Sequence, residues 1–99
     1  MSADGPSVDE ETGLDELRAE IEEIDRALVE LMAQRTYVAE TIARVKEEAG
    51  LPTTDEAQER VVMERASENA DRFDLDPEVI RDVFRLLIEL NKSEQRDTR

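Results

Sequence analysis

Apolar residues recur along the first half of the chain in alternating steps of three and four. They fall at positions 14, 17, 21, 24, 28, 31, 38, 42 and 45, as Leu, Leu, Ile, Ile, Leu, Leu, Val, Ile and Val, and position 35 of the same series is held by Arg35. That period places them on one face of a helix. No Gly or Pro interrupts residues 14–48, and Gly50 and Pro52 stop the pattern. The spacing predicts a first helix of about 35 residues, roughly 52 Å long at 1.5 Å per residue.

A second helix is predicted from near Thr53. In "TTDE", Thr53 serves as N-cap and Glu56 as the reciprocal partner of a capping box. Its stripe runs through Val61, Val62 and Arg65 and fades near Asn69. A third opens at "DPEV", with Asp76 as N-cap, Pro77 at the first helical position and Glu78 in the first turn. Ile80, Phe84 and Leu87 form its inner stripe, widened by Val83 and Ile88 and continued through Asn91 to Gln95. Residues 96–99 are expected to fray. The fold class is therefore all-α, with three helices, one of them very long. A rod of that length overhangs a compact domain of this size, whose radius of gyration is about 13 Å. The shorter helices do not cover its seam, so a second copy is expected to do so. The expected assembly is an intertwined homodimer with antiparallel or crossing long helices. Residues 1–12, acidic and broken by Gly5 and Pro6, are read as a disordered tail ahead of a helical domain at 13–99.

Three polar residues interrupt these stripes. Arg35 takes the seam position between Leu31 and Val38, and Asn91 and Gln95 lie on the third helix's inner stripe. Lys46 follows Arg35 by 11 residues, three turns plus ~20°, so both point the same way about 16 Å apart. Two cations on an inner face are costly against hydrocarbon and sensible in an anion pocket. Structural accounts exist for each. Arg35 would pair with a buried Glu or set a coiled-coil register, Lys46 would snorkel from a helix end, and Gln95 would sit in a frayed terminus. Arg18 lies roughly 26 Å before Arg35 along the helix and about 100° off, so the two meet at one small ligand only across a dimer.

Composition narrows the chemistry. There is no Cys and no His, which removes disulfides, thiol nucleophiles, the usual zinc sites and the commonest general base. The net charge is −14, from 27 acidic and 13 basic residues, a balance that repels nucleic acid and anionic membranes. No segment reaches the ~20 apolar residues of a membrane span, and the first residues lack a signal-peptide pattern. A cytoplasmic location is expected. The basic residues are 11 Arg and two Lys, and an acidic, Lys-poor surface resembles those of proteins from salt-loving microbes.

With these residues in view, the chain from about Leu14 to Gln95 resembles the all-helical class of chorismate mutases. The likeness rests on "LDELRAEIEEIDRALVELMAQR", on Lys46, on "PTTDEAQER" and on "VFRLLIELNKSEQ". The ordered set Arg18, Arg35, Lys46, Asp55, Glu59 and Gln95 carries it. The resemblance implies rearrangement of chorismate, a small dianion, to prephenate on the route to phenylalanine and tyrosine. It implies no cofactor and no metal. Arg35 and the partner subunit's Arg18 would hold the substrate's two carboxylates. Lys46 would hold a carboxylate and the ether oxygen, and Gln95 would donate to that oxygen. Glu59 would accept from the ring hydroxyl with Asp55 nearby, and Asn91 would lie near a carboxylate. Gln58 stands where some members carry Arg, and enters only as an outer residue behind the others. Two other readings stay open: an isochorismate pyruvate-lyase of the same fold, and a non-catalytic helical dimerisation module.

Overall fold

A computed structural model describes the backbone of residues 10–53 and 55–97 and the side chains of residues 13–53 and 55–92. Three helices follow one another: α1 (Glu10–Glu48), α2 (Glu56–Arg72) and α3 (Pro77–Asp97). No described residue is in a strand. None of the described helices is long and apolar enough to cross a membrane. The chain divides into two compact units, Met1–Ala33 and Gln34–Arg99.

In the first unit α1 begins at Glu10, four residues ahead of the predicted start. Residues 10–12, expected in the tail, are helical, and residues 1–9 lie outside the described part. The helix passes through Gly13, where an added Cβ would meet nothing within 4 Å. A mid-helix glycine costs only about 1 kcal/mol, which ordinary neighbours outweigh. The stripe positions of this segment, Leu14, Leu17, Ile21, Ile24, Leu28 and Leu31, are exposed, with Ile21 at 56% and Ile24 at 54%.

The second unit is built on an αα-hairpin. α2 and α3 pack against each other. Glu59 in the first turn of α2 bonds Lys92 late in α3, so the pair runs antiparallel. The most buried residues of α2 are small. Ala66 and Ala70, one helical turn apart, are each 2% exposed, and their lack of bulk lets the helices approach. Burial on α2 thus follows the line Val62, Ala66, Ala70, and Arg65, expected on the stripe, is exposed. On α3 Ile80, Phe84, Leu87 and Ile88 are half-buried as the periodicity requires, while Val83 is exposed. The part of α1 in this unit turns Arg35, Thr36, Ala39, Ala43 and Lys46 inward, leaving the seam residues Val38, Ile42 and Val45 exposed.

Each helix end has an identifiable chemical stop. At the end of α1 Gly50 takes φ +74°, the Leu51 amide donates to Lys46 O at 2.8 Å and the Gly50 amide to Glu47 O at 3.1 Å. These are the two crossed bonds of a Schellman cap. The end of α2 repeats the pattern with Leu75 donating to Ala70 O at 2.8 Å and Asp74 to Asp71 O at 3.3 Å. Here the left-handed position is Asp74, at φ 60°. The start of α2 departs from the prediction. Its N-cap is Asp55, not Thr53, and the Asp55 carboxylate accepts from the Gln58 amide at 3.1 Å. A carboxylate satisfies the free amides as well as a hydroxyl does and adds a favourable charge at the helix N-terminus. α3 begins as expected, with the Glu78 amide donating to Asp76 Oδ1 at 2.9 Å and Pro77 as its first residue.

The two left-handed positions give a paired test. Asp74→Gly removes a side chain from a conformation that costs an L-residue about 1 kcal/mol, and Gly50→Ala imposes the same cost. The urea midpoint should rise for the first and fall for the second.

Candidate functional site

Within Gln34–Arg99 a cavity of about 350 Å³ opens among α1, α2 and α3. Its walls combine apolar residues, Val38, Ala39, Ile42, Val62 and Ile88, with Arg35, Thr53, Gln58, Glu59, Asn91 and Lys92. That size and mixture suit a small polar molecule held by a few placed groups. The charged residues in the wall are Arg35 and Lys92 against Glu59.

Arg35 is held at two points. Its guanidinium donates to Asn91 Oδ1 and lies 5.8 Å from the centre of the Phe84 ring. A guanidinium offers donors only, so the oxygen of the Asn91 amide must face it. The amide nitrogen then turns the other way and donates to Thr36 Oγ1 at 2.7 Å. Asn91 is 5% exposed, and both ends of its amide are met by α1. The apolar face of Phe84 shields one side of the arginine and attracts its charge. Held at two points, the guanidinium keeps further N–H groups for a ligand.

Lys92 and Glu59 face each other across the hairpin, Nζ to Oε2, at 3.0 Å, and both side chains are about one-third exposed. Gln58, expected only behind the site, is in the cavity wall. Its backbone amide is committed to the Asp55 cap.

The cavity therefore brings together Arg35, Gln58, Glu59 and Asn91 of the sequence-predicted residues. Lys46 is half-buried near the end of α1 and does not line it. Asp55 is exposed, caps α2 and is absent from the wall. Arg18 is exposed in the other unit. The backbone of Gln95 belongs to α3, and its side chain lies outside the described residues. Thr53 and Lys92 were not among the site residues read from the sequence. Lys92 had a signal there: it lies three residues before Gln95, with Asn91 four before, so the three share one helix face.

Comparison with known proteins decides the family. The family model for chorismate mutase type II matches residues 17–96. The chain belongs to the type II chorismate mutase family. A chorismate mutase of Methanocaldococcus jannaschii is 31% identical over 83 residues, which is 84% of each chain. A T-protein of Haemophilus influenzae is 31% identical over 73% of this chain and 19% of its own length. A T-protein of Enterobacter agglomerans is 27% identical over 82% of this chain and 22% of its own length. The chain thus spans about a fifth of each T-protein and most of the archaeal chorismate mutase. Membership makes the protein an isomerase of the chorismate mutase type, with an all-helical fold and a small-molecule substrate.

The Asn91 bridge can be tested apart from activity. Asn91→Leu strips Arg35 and Thr36 of a buried partner, and the loss of stability should be about 2 kcal/mol. Denaturant unfolding at constant slope checks this, because the slope reports any change of unfolded state separately.

Proposed function

We propose that the cavity beside Arg35 is the chorismate site and that the chain converts chorismate to prephenate there. The observation that carries this reading is an arginine fixed by Asn91 and Phe84 at a small-molecule cavity, in a chain matched almost throughout by the chorismate mutase model.

The reaction breaks one C–O bond as it forms one C–C bond within the same molecule. It has no obligatory nucleophile or proton transfer, so a chain without His or Cys is equipped for it. Two things accelerate such a step. The flexible dianion must be held in a compact, chair-like shape, and the ether oxygen must meet fixed donors as it gains negative charge. Arg35 takes one carboxylate, because its planar fork matches two oxygens at once. The partner subunit's Arg18 takes the other. Lys46 and Gln95 face the ether oxygen, the first as a point charge and the second as a neutral donor. Glu59 accepts from the ring hydroxyl, and Asn91 lies beside the carboxylate that Arg35 holds. Asp55 serves chiefly by fixing the first turn of α2, on which Gln58 and Glu59 sit.

A homodimer belongs to the same proposal. Its support is the row of exposed apolar residues on α1, which a second copy would cover. An uncovered stripe of that kind is unusual for a chain on its own. We place the enzyme in the cytoplasm.

Three results are expected. The wild type should turn chorismate into prephenate and leave isochorismate unchanged, with products identified by mass. Arg35→Ala and Lys46→Ala should each lower kcat/KM by roughly 10²-fold, the loss of one preorganised donor of about 3 kcal/mol. A folded mutant with wild-type turnover would remove that residue from the site. Added salt should raise activity, because a surface of net charge −14 repels a dianion at long range and ions screen that repulsion more than close contacts. A steady fall of kcat/KM from dilute buffer upward would contradict it.

A further inference from the structure

The ion pair of Lys92 with Glu59 stands at a boundary. On one side is the cavity beside Arg35. On the other, between α2 and α3, is a second cavity of about 360 Å³ that shares Glu59, Ile88 and Lys92 with the first. The pair is therefore part of a wall common to both. It ties the first turn of α2 to the last turns of α3 at 3.0 Å.

Its charge matters as much as its position. Glu59 is the one carboxylate among the described residues lining the cavity beside Arg35, against the two cations Arg35 and Lys92. A bare carboxylate there repels an anionic ligand at short range. Paired with Lys92, the same carboxylate has its charge offset and one oxygen fixed. Its remaining lone pairs then accept from a hydroxyl with little penalty to neighbouring anionic groups. Lys92 approaches from the α3 side next to Asn91, so the residue that fixes Arg35 and the residue that fixes Glu59 are neighbours in the chain.

We propose that Lys92 is a positioning residue for chorismate binding, acting through Glu59 by offsetting and orienting its carboxylate while leaving the substrate to other groups. This rests on the assignment of the cavity as the chorismate site. Two consequences distinguish it from a merely structural tie. The effect of losing Lys92 falls on KM more than on kcat, since repulsion of the dianion is felt on entry. It also disappears when Glu59 loses its charge, because no unpaired carboxylate then remains.

The test is steady-state chorismate kinetics on the wild type, Lys92→Met, Lys92→Arg, Glu59→Gln and the double variant Lys92→Met with Glu59→Gln, with folding checked by circular dichroism. Lys92→Met should raise KM about tenfold, a modest figure because the pair is partly solvated. Lys92→Arg should return KM close to the wild-type value. The double variant should bind chorismate more tightly than Lys92→Met alone. An unchanged KM in Lys92→Met overturns the proposal. So does a double variant at least as impaired as Lys92→Met, which would mean that Lys92 touches the substrate or serves only to hold the hairpin. If Lys92→Met does not fold, a Lys92→Arg enzyme with KM raised as far as that of Glu59→Gln overturns it instead. A folded wild type without chorismate turnover overturns the assignment of the site itself, whereas turnover with Lys92→Met unaltered overturns the role of Lys92 alone.

Discussion

The guanidinium of Arg35 carries donors only, so a place on the inner face of α1 has to be supplied with acceptors. Asn91 supplies the first, and from that bond much of Gln34–Arg99 follows. The oxygen of the amide is claimed by the arginine, so its nitrogen needs an acceptor, which is Thr36 one residue along α1. Asn91 is then bound at both ends to α1 and is buried, at 5% exposure, nearly as deeply as the alanines of the hairpin. Phe84, two turns earlier on α3, covers the face of the guanidinium. One charged side chain thus fixes which face of α3 looks toward α1.

The hairpin is what brings those partners into reach. Its most buried apolar residues are the small Ala66 and Ala70, and its ends are fixed by backbone caps. Asp55 places the start of α2 so that Gln58 and Glu59 enter the cavity wall, and Lys92 ties Glu59 to α3. The buried hydrocarbon of the single chain is small by comparison with the apolar surface it leaves in water. Burial of apolar area is the main favourable contribution to folding, so the exposed seam of α1 is a large unused reserve. That exposed seam is the observation behind the proposed pairing of two chains.

Much of this was legible in the residues themselves. The three- and four-residue periodicity gave three helices, Gly50 and Pro52 gave the end of the first, and Asp76 with Pro77 gave the start of the third, because helix periodicity and caps are local properties of the chain. Arg35 and Asn91 were visible as polar residues on apolar stripes, and the ordered set of charged and amide residues pointed to the family. Other features were not local. Residues 10–12 read as tail because they are acidic and precede the apolar stripe, yet α1 begins at Glu10. Thr53 and Asp55 both satisfy the chemistry of an N-cap, and which of them begins α2 depends on where the chain arrives from α1. Ala66 and Ala70 carry almost no periodic signal, since alanine suits either face of a helix, and only close packing against α3 marks them as core.

The sequence by itself therefore determined the helices, their main stops, the family and the residues whose chemistry suits a dianion. Only the tertiary structure decided that Arg35 is held by an amide rather than a carboxylate, that Asp55 is spent on a cap, and that Glu59 is met by Lys92. The reason is that a charged group takes whichever partner the fold brings within about 3 Å. Spacing along a helix says which residues share a face, but the partner across the interface is set by how two helices cross.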